Sequence, residues 1–83
     1  GVTFIKYFRR ECLKMFTMII RNCKTGKREE YPFLKLVNAT IGLANVLQDW
    51  RGVGFVIEQK NWWNAYAYDP LGRAFHHVEV IEQ

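Results

Sequence analysis

Residues 53–82 leave this chain little choice of fold. They read VGFVIEQK, NWWNAYAYD, PLG and RAFHHVEVIE. Val53, Phe55 and Ile57 alternate with Gly54, Val56 and Glu58, the two-residue period of a strand with one buried face. Asn61 tolerates turn dihedrals and marks a reversal. Beyond it, Trp63, Ala65 and Ala67 project to one side, and Trp62, Asn64, Tyr66 and Tyr68 to the other. Asp69-Pro70-Leu71-Gly72 is a tight turn, with Pro presetting φ and Gly accepting a positive one. The last strand alternates Ala74, His76, Val78 and Val80 against Phe75, His77, Glu79 and Ile81. Three strands joined by short turns predict an antiparallel meander.

The chain before it supplies what the meander packs on. Residues 15–23 (MFTMIIRNC) form a strand with Phe16, Met18 and Ile20 on one face. Lys24-Thr25-Gly26-Lys27 is a hairpin turn, and the return strand runs from Arg28 to about Phe33. Pro32 has no N–H to donate, which predicts a place at the sheet edge. A helix over residues 39–51 follows, capped by Asn38 and ended by Gly52. Its apolar stripe takes in Ile41, Leu43, Val46, Leu47 and Trp50. Gly42 weakens that helix by roughly 1 kcal/mol against Ala, so a bulky strand residue is expected to press on it. Residues 2–13 have Phe4, Tyr7, Phe8 and Cys12 at helical spacing. Met15 also offers an alternative start, which would leave residues 1–14 a poorly ordered extension.

The fold expected is a single α+β domain over residues 1–83. Residues 1–14 are an N-terminal helix or extension, and residues 15–83 a ββαβββ core. In the resulting αββαβββ chain, a strand–helix–strand crossover makes the third strand parallel to the second. That strand can then pair beside the first, which predicts a five-stranded antiparallel sheet of order 2-1-3-4-5. The central helix packs on one face. The N-terminal helix lies on the other face or is poorly ordered.

Eighty-three residues suit one small domain, which buries only roughly 60–65% of its unfolded surface. No apolar run approaches the ~20 residues needed to cross a bilayer, and the first residues are too charged for a signal peptide. A cytoplasmic location is the expectation. Cys12 and Cys23 are too far apart for a disulfide if a strand separates them. The net charge of +4 is uneven: residues 1–35 hold nine basic groups against three acidic, and residues 36–83 three against five. That asymmetry fits an acidic partner or simply solubility.

The small side chains of Ala65 and Ala67 place the central helix over their face, with Trp63, Phe55 and Ile57 completing the core. Trp62, Tyr66 and Tyr68 are then expected together on the opposite face, joined by His77 or, in the other register, His76; His77 is the candidate taken. Large exposed aromatic patches mark contact surfaces. Three uses compete. Phe4, Tyr7 and Phe8 fold back to complete a second core. A protein partner or a second copy docks there, since Trp and Tyr carry interface energy. Or single-stranded nucleic acid stacks on the rings, held by Arg9, Arg10, Lys14 and Arg21. Glu58, Asp69 and Glu79 repel phosphate and weigh against the last. The aromatic sheet face is similar in style to RNA-recognition domains, but their sequence signature is absent. In brevity and aromatic density the chain is similar in style to small phage and prophage proteins, without a motif match.

Catalytic and metal chemistry is not indicated. His76 and His77 are adjacent in a strand and so face opposite ways, unable to grip one ion. His76 beside Val78 and Val80 reads as a satisfied, half-buried histidine. The cysteines lack metal spacing, and the glycines at 52 and 54 precede no helix. Asp69, His77 and Glu79 would need a common cleft for acid–base work. The function expected is a non-enzymatic module that binds a protein or itself, with no cofactor, metal or membrane. The alternative is single-stranded nucleic-acid binding.

Overall fold

A computed structural model of the chain describes residues 15–82. The helix expected over residues 2–13 lies outside them, with Arg9, Arg10 and Lys14. The described chain forms β1 (Phe16–Asn22), β2 (Arg28–Phe33), α1 (Leu36–Gly52), β3 (Val56–Asn61), β4 (Asn64–Tyr68) and β5 (Ala74–Glu82). The five strands make one sheet in which every neighbour is antiparallel.

The order is β2-β1-β5-β4-β3, which corrects the expected 2-1-3-4-5. The meander is present but inserted the other way round, with β5 rather than β3 beside β1. Burial gives the reason. A strand with neighbours on both sides is covered and must be apolar, whereas an edge strand tolerates charge. In β5, His77, Val78 and Val80 are buried. In β3, Glu58, Gln59 and Lys60 are exposed, and Lys60 pairs with Glu58 at 2.6 Å. The polar strand therefore takes the edge, opposite the edge held by β2 and its Pro32. Those two edge strands run in the same direction, so α1 leaves one edge of the sheet and delivers the chain to the other.

The core lies between α1 and one face of the sheet. Met18, Ala39, Leu43, Leu47, Ala65, Val78 and Val80 are buried together, ringed by Phe16, Ile20, Phe33, Val46, Trp50 and Ile57. Ala65 and Ala67 have no exposed surface and lie on the helix side, as their size predicts. Gly42 sits where a strand side chain presses on the helix: a Cβ there would lie 3.0 Å from Phe33 Cζ.

Both ends of α1 differ from expectation. The helix starts at Leu36, ahead of Asn38, and its N-cap Lys35 makes no side-chain capping bond. Leu36 is exposed and lines an open groove with Trp62 and Trp63, and Asn38 lies inside the first turn of the helix and not at its cap. At the C-terminus the left-handed residue is Gly54 (φ 101°) and not Gly52. Gly54 N donates to Arg51 O at 3.1 Å and Phe55 N to Trp50 O at 3.0 Å, the paired bonds of a Schellman motif. That closure places Phe55 beside Trp50.

The turns follow side-chain chemistry. Asn22 Oδ1 accepts from Lys24 N and Thr25 N, and Gly26 supplies a positive φ of 78°. Asp69 Oδ1 accepts from Leu71 N and Arg73 N, and Oδ2 from Arg73 Nε. The Arg73 backbone N–H is the main reason the Asp69 carboxyl is held below its usual range, with the Arg73 charge assisting against burial. Between β3 and β4 the turn consists of Trp62 and Trp63, stabilised by Trp63 N donating to Asn61 Oδ1 at 3.1 Å.

Candidate functional site

Side-chain alternation sends Tyr66, Tyr68 and His77 to the face away from α1. The β4–β5 register sets Tyr66 directly across from His77, and their rings stack at 4.4 Å with an interplanar angle of 29°. Tyr68 joins at 6.3 Å from Tyr66. His77 Nε2 lies 2.6 Å from Asn64 Oδ1. With the amide oxygen accepting, Nε2 is the donor in this contact. Burial lowers the pKa of His77; Glu79 opposes that shift and Arg21 reinforces it.

The register extends this group across the whole sheet. Arg21 pairs with His77, Arg28 with Arg21, and Glu58 with Tyr66. One row therefore reads Arg28, Arg21, His77, Tyr66, Glu58 from edge to edge. Its β2 end carries Arg28, ion-paired with Glu30 at 3.4 Å, its middle is aromatic, and its β3 end carries Glu58, ion-paired with Lys60. Thr17 and Ile19, also on this face, are buried, at 4% and 3% exposure. The tyrosines are half-buried, and Arg21 is the exposed member next to them.

Trp62 is not with them. It occupies the β3–β4 turn, 48% exposed, and lines an apolar groove with Phe16, Leu36, Trp63 and Val80. The expected quartet is thus a trio plus a separate tryptophan at the end of the molecule. Strict alternation from Trp63 onwards predicted otherwise, because Trp is not a turn residue. The available signal was the pair of asparagines, Asn61 and Asn64, which face each other across the turn. Trp63, expected in the core, is 36% exposed in the same groove.

His76 goes to the helix face and His77 to the other, as adjacent strand residues must. His76 stacks on Trp50 and is half-buried, but its Nδ1 is buried without a hydrogen-bond partner. That corrects the expectation of a satisfied histidine. A bulge explains its company. Ala67 pairs with His76 but Tyr68 pairs with Ala74, so Phe75 is an extra residue. Both Phe75 and His76 then pack on Phe55, at 4.9 and 5.2 Å, an effect bulges have on side-chain direction.

Asp69 does not join His77 and Glu79, because its carboxylate is engaged by its own turn. Among the described residues no group of three or more His, Cys, Asp or Glu could hold a metal. Nor is any helix among them long and apolar enough to cross a membrane. Cys23 is exposed and free; Cys12 lies outside the described residues. No protein-family model, curated protein or solved structure matches the chain.

Proposed function

We propose that this domain is a non-enzymatic binding module that takes a protein surface, and first of all a second copy of itself, on the half-buried Tyr66 and Tyr68, with the buried His77 supporting them from within. The observation that carries this reading is the stacked Tyr66–His77 pair locked by Asn64. Rings already fixed lose little side-chain freedom on binding, and Tyr combines apolar area with a polar tip. Arg28 and Glu58, at the two ends of the row, are each already ion-paired, with Glu30 and Lys60, so the rings rather than the charges carry the association. Amide spectra recorded from micromolar to millimolar concentration test this. Concentration-dependent shifts confined to Arg21, Asn64, Tyr66, Tyr68 and His77 are expected; shifts elsewhere, with these unmoved, count against the face.

Arg21, next to His77 in the row, supports a second reading, single-stranded nucleic acid stacked on the tyrosines with a phosphate at the arginine. Glu58 and Glu79 on the same face oppose it. Oligonucleotide affinity that falls steeply as salt rises is the signature required. No binding at low salt removes this reading.

A further inference from the structure

In travelling from the β2 edge towards β3, α1 leaves the β1–β2 hairpin partly uncovered beside its last turns. The result is a cleft of about 440 Å³. Lys27 and Glu29 come from the hairpin, Asp49 and Trp50 from the end of α1, and His76 from β5. Ile20 and Val46 make its apolar back. Trp50 lies flat on His76, ring centroids 4.9 Å apart and planes 11° from parallel. One wall of the cleft is therefore a rigid aromatic pair.

The charges are arranged in a particular way. Lys27 and Asp49 sit on different walls, and neither side chain has an ion-pair partner among the described residues. They do not reach each other. Glu29 accepts the Tyr31 hydroxyl at 2.6 Å through Oε2, which leaves Oε1 available. An anion placed between these walls meets two groups of its own sign, Glu29 and Asp49, and a cation meets one, Lys27. A ligand carrying both signs meets a complement at each end. The cleft lies at the small end of ligand pockets, which span roughly 300–1,000 Å³. That suits a molecule of amino-acid size and is small for a dinucleotide.

We propose that this cleft binds a small zwitterion of the free amino-acid class. Its carboxylate lies at Lys27, its ammonium at Asp49 and Glu29, and its side chain along the Trp50–His76 pair. The charged groups are exposed, so affinity is weak, on the order of millimolar. The site is separate from the tyrosine face, on the other side of the sheet, and stands or falls independently of it.

The test is an amide and indole NMR titration of the whole chain with each of the twenty protein amino acids. Leucinamide, which lacks the carboxylate, and N-acetylleucine, which lacks the ammonium, are run beside leucine. The expected result is a saturable shift of the Trp50 indole N–H and the amides of Lys27 and Asp49 with one or more free amino acids. Both capped analogues should bind at least about tenfold more weakly, a difference of ~1.4 kcal/mol. Lys27→Met and Asp49→Asn, at exposed positions, should each abolish the shift while the thermal midpoint stays unchanged. No saturable response to any amino acid overturns the proposal. So does binding of leucinamide or N-acetylleucine as tight as leucine, or binding that survives either substitution.

Discussion

Trp50 and His76 stack nearly face to face, with planes 11° from parallel, although one lies in the last turn of a helix and the other near the start of a strand. The Schellman closure at Gly54 and the bulge at Phe75 bring them together with Phe55. His76 Nδ1 is sealed in this cluster without a partner, and an orphaned buried polar atom costs about 1–3 kcal/mol. His76→Phe keeps a ring against Trp50 and removes the orphan. Its unfolding free energy in urea should equal that of the parent or exceed it by about 1 kcal/mol. A loss of stability would show that Nδ1 is satisfied after all.

Acid should destabilise the fold in two stages. Burial lowers the pKa of His76 and, with Arg21 assisting and Glu79 opposing, that of His77. Below the unfolded value near 6.5 the unfolded chain then holds more protons than the folded one, so stability is full above about pH 6.5 and declines beneath it. The Asp69 carboxyl is also lowered, chiefly by the Arg73 N–H. Its contribution is present above the unfolded value of 3.8 and is lost as pH falls through the folded value. Urea melts across pH should show both declines. His76→Phe should shrink the first and leave the second.

Gly42 faces Phe33 Cζ at 3.0 Å from the position of a Cβ, with Met18 Cε at 3.7 Å. Ala there gains helix propensity of ~1 kcal/mol and meets a close contact of similar cost, so Gly42→Ala should be near neutral. Gly42→Leu cannot be housed and should cost about 1–3 kcal/mol. Chemical denaturation distinguishes the two variants.

The sheet order has its own covalent check. Thr17 lies across from Ile81 in the β1–β5 ladder, where facing Cβ atoms are about 4.5–5.5 Å apart. Thr17→Cys with Ile81→Cys should cross-link under mild oxidation. Thr17→Cys with Glu58→Cys, which share a face and which the order 2-1-3-4-5 would bring nearer, should not.

That order marks where sequence legibility ends. Alternation identified the faces: Met18 inwards, Ala65 and Ala67 under the helix, Tyr66 and Tyr68 away from it. Turn chemistry identified the hairpins at Gly26 and Gly72, and Pro32 identified one edge. Alternation says nothing about neighbours, however, because β3 and β5 run in the same direction and either could lie antiparallel to β1. The deciding residues were Glu58, Gln59 and Lys60, three consecutive polar side chains that an interior strand could not carry. The site was legible as far as strict periodicity held. It failed at Trp62, where a turn interrupts the alternation, and at Phe75, where a bulge adds a residue. Trp50 was read only as part of a helical stripe, since its partner His76 becomes its neighbour only through tertiary packing.

Whether Tyr66 and Tyr68 form a contact surface is decided most directly by sedimentation velocity from micromolar to millimolar concentration, on the parent chain and on the double variant Tyr66→Ser/Tyr68→Ser. The parent should sediment faster as concentration rises, and the variant should remain a folded monomer throughout. A parent that stays monomeric over the whole range, or a variant that associates just as readily, would contradict self-association through this face.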